Sequence, residues 1–187
     1  MTRWPAALAA LALLVGAWFV ARATPDGEAR LAEQFPVAAE VGQKVEGRNI
    51  GITIDHLTLA DRLRTDRWQA EGTWLVVDLD AWAVLTESPA ALQSLTLQIG
   101  ERTYTASERP DAATTNSTLR RAGLYVQHPR SGTVVFELPD DVGEARGILR
   151  LSLFDDPADS VIEVPIDFGA LDHEAEIALP AVEWAAP

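Results

Sequence analysis

Few residues in this chain have the types and spacing that chemistry requires. His173-Glu174 begins like the helix of a zinc protease, but Ile177 stands where the second histidine of H-E-x-x-H belongs. His56 and His128 lie in separate segments with no second histidine at ligand spacing, and read as ordinary loop or strand-edge histidines. No G-x-S-x-G elbow, G-x-G-x-x-G turn or G-x-x-x-x-G-K loop occurs, and Lys44 is the sole lysine. With no cysteine, disulfides, thiolate metal sites, a cysteine nucleophile and a lipidated-cysteine anchor are excluded together. Carboxylates are plentiful. Asp78 and Asp80 share a strand face, while Asp140-Asp141 and Asp155-Asp156 with Asp159 fall in turns. Calcium takes roughly six to eight oxygens, and D-D-P-A-D lacks the EF-hand spacing and its glycine, so these acids read first as solvated turns. Asp155, Asp156 and Asp159 remain the metal candidates. A glycosidase pair would need two carboxylates at a set separation in a cleft, which spacing in sequence does not supply. Trp74, Trp82 and Tyr104 are the candidate partner-binding residues: exposed together they would form a platform for a sugar or a protein, and buried they would be packing. No catalytic residue and no cofactor is assigned.

What would hold these residues is set by the stretch from Trp4 to Ala21, WPAALAALALLVGAWFVA, which is flanked by Arg3 and Arg22 and carries no charge. At ~1.5 Å per residue it makes a helix of ~27 Å, near the ~30 Å of a bilayer's hydrocarbon core. Trp4 and Trp18 sit near its ends, where indoles favour the headgroup level. The run is longer than a usual signal core, so a retained anchor is the leading reading. Ala21-Arg22-Ala23 also fits an A-x-A site, and cleavage after Ala23 would give a secreted protein. Positive charge at Arg3 and the amine places the N-terminus inside and the rest of the chain outside the cell membrane. The expected bilayer contact is residues 4–21.

After this run about 160 residues remain, enough for one domain that buries ~70% of its unfolded surface without disulfides. With 15 Lys+Arg against 28 Asp+Glu, the formal charge is −13, which repels phosphate backbones and argues against nucleic-acid binding. It also repels anionic lipid, so the domain is expected not to lie flat on its membrane.

Residues 24–43, with Pro25, Gly27, Pro36 and Gly42, read as a spacer. From Lys44 the apolar period is two. Ile50, Ile52 and Ile54 alternate, then the phase slips to Leu57 and Leu59, which predicts a bulge near Asp55-His56. Arg62, Arg64 and Arg67 mark a polar loop. In Thr73–Leu85 the set Leu75, Val77, Leu79, Ala81 and Ala83 faces the core, because the opposite choice buries Asp78 and Asp80. Leu95–Ile99 and Thr103–Thr105 form a hairpin through Gly100. Residues 107–118 read as a mobile loop. Further strands follow around Val134–Leu138, Leu149–Leu153 and Ile162–Phe168, where Pro165 requires an edge or a solvent-facing position. No convincing helix follows residue 43.

Strands reading GITIDHLTLADRL, WLVVDLDAWAV, LQIGERTYTA and GTVVFELPDD behind one apolar segment and a spacer resemble the immunoglobulin-like extracytoplasmic domains of unknown function of Gram-positive, actinobacterial-type bacteria. The likeness covers about residues 42 to 168 and is most specific from Ser131 to Pro139. Ala81-Trp82 departs from it, standing where such domains often place an asparagine. The resemblance implies an all-β, immunoglobulin-like antiparallel sandwich of two sheets behind one N-terminal transmembrane or signal helix, and it implies no reaction. The expected organisation is 1–23 anchor, 24–43 spacer, 44–170 sandwich and 171–187 acidic tail. The expected function is a non-enzymatic, membrane-tethered module that binds an envelope protein or polymer; the alternative is a secreted module binding a small ligand or Ca²⁺ through acidic loops.

Overall fold

The period-two pattern folds into two β-sheets packed face to face, a β-sandwich. The computed structural model describes residues 13–18, 34–85, 89–113, 117–153 and 159–185. The strands are β1 (Phe35–Ala38), β2 (Lys44–Glu46), β3 (Ile50–Arg64), β4 (Gln69–Ala83), β5 (Ser94–Ile99), β6 (Arg102–Thr105), β7 (Arg130–Leu138), β8 (Arg146–Ser152), β9 (Ser160–Asp167), β10 (Asp172–Glu174), β11 (Ile177–Ala178) and β12 (Glu183–Trp184). One sheet runs β1-β9-β8-β5-β6. The other runs β10-β3-β4-β7-β12, and β2 and β11 also pair with β3. The main core lies between them, where Ile52, Ile54, Leu75, Val77, Leu79 and Phe136 meet Leu95, Leu97, Leu149, Leu151, Ile162 and Val164. The aliphatic face of β4 is the inner face, as its alternation requires.

The long strands pair antiparallel, but the sandwich is not purely so. β1 lies parallel to β9, and β10 and β11 lie parallel to β3. All three come from the ends of the unit Gln34–Pro187, where a segment arrives at an open edge from outside the sheet and no hairpin dictates its direction. Phe35–Ala38, which falls in the expected spacer, is thus a sheet strand, and the acidic tail adds three more. β1 stops opposite Glu163, which leaves β9 an open edge at the exposed Pro165. A proline there removes no ladder bond.

Two bulges shape the β3–β4 hairpin. Ile54 pairs with Leu79 and His56 with Asp78, so Asp55 is the extra residue, at the place where the apolar phase slips. Ala60 pairs with Trp74 and Arg62 with Glu71, which puts the second extra residue on β4 beside Gly72, at φ +144°. Trp68 and Trp74 are six residues apart, ~20 Å in a straight strand, yet their ring centroids are 5.8 Å apart. The hairpin tip therefore folds back over the outer face of its own sheet. There Ala60, Leu63, Ala70, Trp74, Val76 and Val135 form a second core, closed by Trp68 and by Ile177 and Leu179 of the tail. Arg62 and Arg64, expected in a loop, belong to β3 and reach Glu176 of the tail at 3.5 and 2.8 Å.

Residues 107–113, 117 and 118 of the expected mobile loop are also more ordered than their composition implies. Arg109–Ala113 makes a helical turn, and the buried Asp111 accepts the Thr118 backbone N–H at 3.0 Å and the Thr118 hydroxyl. Residues 13–18 are helical and exposed, while the rest of the expected anchor lies outside the described residues. Among the described residues no helix is long and apolar enough to cross a membrane.

Candidate functional site

The aromatic platform expected from Trp74, Trp82 and Tyr104 is not assembled. Trp74 is fully buried in the second core, with the Arg109 guanidinium 5.5 Å from its ring. Trp82 lies on the same face of β4, eight residues along and ~26 Å away by strand rise. Its ring covers Gly51, donates from Nε1 to Glu46 at 3.3 Å, and is capped by Lys44 Nζ at 4.7 Å. Only 5% of it is exposed. Tyr104 belongs to the other sheet, in a groove of about 420 Å³ with Glu101, Arg102, Pro139 and Asp141. Asp78 and Asp80 share the outer face of β4 with Trp74 and Trp82. The folded hairpin tip and β2 cover the two ends of that face and leave only its acidic middle open.

That middle is an acidic patch. Asp55, pushed out by the bulge, and Asp78 both have carboxyls held above the ordinary value of 3.8. Burial is the main cause for each. Asp80 also raises Asp55, Asp55 and Glu174 raise Asp78, and His56 opposes both. Asp80 accepts a hydrogen bond from the Ser131 hydroxyl. Among the described residues no three His, Asp or Glu side chains converge where they could hold a metal ion. Of the calcium candidates, Asp155 and Asp156 lie outside the described residues. Asp159 is buried, and its Oδ1 accepts the Ser160 backbone N–H at 2.7 Å, which makes it a strand-start cap.

A polar groove of about 540 Å³ lies where the chain leaves β6 and crosses to the other sheet. The crossing is fixed by Ala106 N–H to Leu95 O at 3.0 Å and Ser107 N–H to Val135 O at 2.8 Å. Its wall carries Gln93, Ser94, Thr96, Thr105, Ser107 and the charged pair Glu108 and Arg120, with Glu137 at one side. Arg120 holds Glu108 at 2.5 Å, and Arg109 spans both oxygens of Glu137 at 2.8 and 2.9 Å. Hydroxyls, an amide and neutralised carboxylates on a rigid sheet can exchange hydrogen bonds with a hydrated ligand.

A second surface was not legible in the sequence. Trp184 of β12 is 58% exposed, with Arg130 4.4 Å from its ring centroid, Tyr125 at 5.6 Å and His128 at 6.3 Å. The pairing of Trp184 with Arg130 brings the tail to this place. Nothing in the tail's composition marks that register.

No known protein family and no curated protein matches the chain. Two solved structures share the fold. An uncharacterized β-sandwich protein from Clostridium difficile is 12% identical, with a TM-score of 0.52 over 77% of this chain and 100% of its own. A Staphylococcus aureus protein described as a candidate lipoprotein is 9% identical, with a TM-score of 0.51 over 74% of this chain and 97% of its own. At such identity the likeness is one of fold.

Proposed function

We propose that this chain is a non-enzymatic, membrane-tethered module whose immunoglobulin-like sandwich stands outside the cell and binds an envelope polymer or protein. The polar groove between β6 and β7 carries this reading. Its hydroxyls and its Arg-paired carboxylates present donors and acceptors to a ligand, while each carboxylate is engaged by an arginine rather than poised against a substrate. The apolar run from Trp4 to Ala21 supplies the tether, in a chain that has no cysteine to lipidate. The description of the Staphylococcus aureus relative is in keeping with an envelope location.

The test is titration of the full chain in detergent with soluble muropeptides and wall polysaccharide from Gram-positive cells, alongside Arg120→Ala with Glu137→Gln. Losing hydrogen bonds to charged groups costs ~1.5–3 kcal/mol, so the groove variant should bind about tenfold more weakly or worse. Equal binding by both proteins would remove the groove from the proposal. Failure of every polymer and of envelope extracts to bind would remove the binding function.

A further inference from the structure

The outermost strands of the two sheets differ in what they offer a neighbour. β10 and β12 are pieces of the tail, three and two residues long, and β1 carries Pro36. Where β1 stops, the edge of β9 carries Pro165. β6 is the exception. It pairs with β5 on one side, and among the described residues no strand pairs with its other side. Arg102, Thr103 and Thr105 are exposed, and the strand has no proline, lysine or bulge to blunt its edge.

Which backbone groups face outward follows from the neighbouring bonds. The Ala106 N–H donates to Leu95 O, so in this antiparallel pair Arg102 and Tyr104 also turn their N–H and C=O toward β5. The residues between them turn theirs away. On that outer side the Ser107 N–H is taken by Val135 O, and the N–H and C=O of Thr103 and Thr105 are left.

A second copy of the strand, antiparallel across a two-fold axis, uses these groups fully in one register. Thr103 opposite Thr105 of the second copy lets each such pair exchange both N–H···O bonds. A slip of one step sets Thr103 against Ser107, whose N–H is engaged, and a slip the other way sets Thr105 against Glu101 in the turn. The matched register puts Tyr104 on the axis, opposite Tyr104 of the second copy, as a non-hydrogen-bonded pair with Cα atoms ~4.5 Å apart. Aromatic–aromatic and Thr–Thr contacts are both favourable across strands. The same register sets Arg102 opposite Ala106 of the second copy, at the mouth of the groove that Glu108 and Glu137 line. Arg102 is exposed and, among the described residues, has no acid partner within its own chain.

We propose that β6 is a self-association edge, through which two copies pair and join their five-stranded sheets into one continuous sheet. The occupant is a second copy because the edge complements itself in bonds, in side chains and in charge. The two polar grooves then adjoin across the axis, with the Thr105 Cα atoms ~7–8 Å apart. Ser94 and Thr96 of β5, one strand further in, leave one wall of each groove open. Pairing follows from the strand alone and holds whether or not the grooves take a polymer.

The sequence has no cysteine, so each introduced thiol stands alone. In the full chain in detergent, oxidised mildly with copper phenanthroline, Tyr104→Cys should cross-link to itself across the axis. Thr103→Cys and Thr105→Cys should each stay monomeric, because Cα atoms ~7–8 Å apart lie beyond the reach of a disulfide. An equimolar mixture of those two should give the heterodimer, with Tyr104 intact. A mixture that cross-links no faster than either thiol alone refutes the register. Thr103→Pro removes a backbone donor that the single chain does not use. It should weaken the dimer about tenfold or more in sedimentation velocity and leave the melting temperature within a few degrees. A parent chain that stays monomeric at every concentration reached, or a dimer undiminished by Thr103→Pro, overturns the proposal. Tyr104→Cys that cross-links in intact cells to a different protein and never to itself would assign the edge to a foreign strand and overturn the second-copy assignment.

Discussion

Gly51→Ala tests whether the Trp82 ring lies on the β3 backbone. A Cβ built at Gly51 falls within 3.0 Å of three Trp82 ring atoms, Cε2, Cζ2 and Nε1. Carbon atoms pack at ~3.5–4.0 Å, so the indole must lift by about 1 Å or more. Lifting it weakens the bond to Glu46, pulls the ring from under Lys44 and wets part of a side chain that buries ~150–250 Å². At ~25 cal/mol per Å², re-exposing a third of that area costs about 1–2 kcal/mol, and overpacking adds about 1–3. The expected loss is about 2–5 kcal/mol. This opposes the gain of ~0.5–1 kcal/mol that Gly→Ala brings in an unobstructed strand. Trp82→Ala alone should cost about 3 kcal/mol, and in the double variant the new methyl enters the vacated space. Urea melts of the four proteins, followed by circular dichroism, should give a double variant at least ~1.5 kcal/mol more stable than the sum of the two losses. Additivity within ~0.5 kcal/mol, or a Gly51→Ala protein as stable as the parent, would refute the stacking geometry.

Other perturbations report on the outer face and the 107–118 segment. Because the folded state holds the Asp78 proton more tightly than the unfolded chain does, this carboxyl adds stability below its ordinary value of 3.8. That contribution is lost as the pH rises through the elevated folded value. Asp78→Asn should therefore raise the melting temperature at pH 7 by a few degrees and flatten the rise in stability on mild acidification; a lower melting temperature at pH 7 would count against burial of the charge. Ending the chain after Ala170 removes Ile177 and Leu179 from the second core, and should cost about 2–4 kcal/mol in a urea melt while wetting Trp74. Asp111→Ala leaves the Thr118 N–H and hydroxyl without their acceptor and should cost about 2–3 kcal/mol, with faster proteolysis across residues 107–118.

The main core was legible because a period of two admits few alternatives once Asp78 and Asp80 exclude one face of β4. The bulge at Asp55 was legible for the same reason, since a slip of one residue in a strand moves every later side chain to the other face. The second core was not. It depends on Gly72 taking a positive φ and on the hairpin tip folding, so that Trp68 reaches Trp74, and no local pattern encodes a contact between a strand and its own folded tip. The sequence left Trp74 and Trp82 open between a platform and packing for the same reason, and their burial matches the packing alternative. The tail was opaque because its pairing partners, β3 and β7, lie more than fifty residues upstream. The cluster of Tyr125, His128 and Arg130 around Trp184 joins distant segments and has no motif at all.

The claim that the rest depends on is that residues 34–187 stand outside the membrane that residues 4–21 cross. Thr103→Cys, exposed on β6, provides the single thiol needed to measure it in intact bacteria expressing the full chain. A membrane-impermeant maleimide should label that cysteine in whole cells as fully as in lysed ones, with the labelled protein sedimenting in the membrane fraction. Labelling that appears only after lysis would contradict the account.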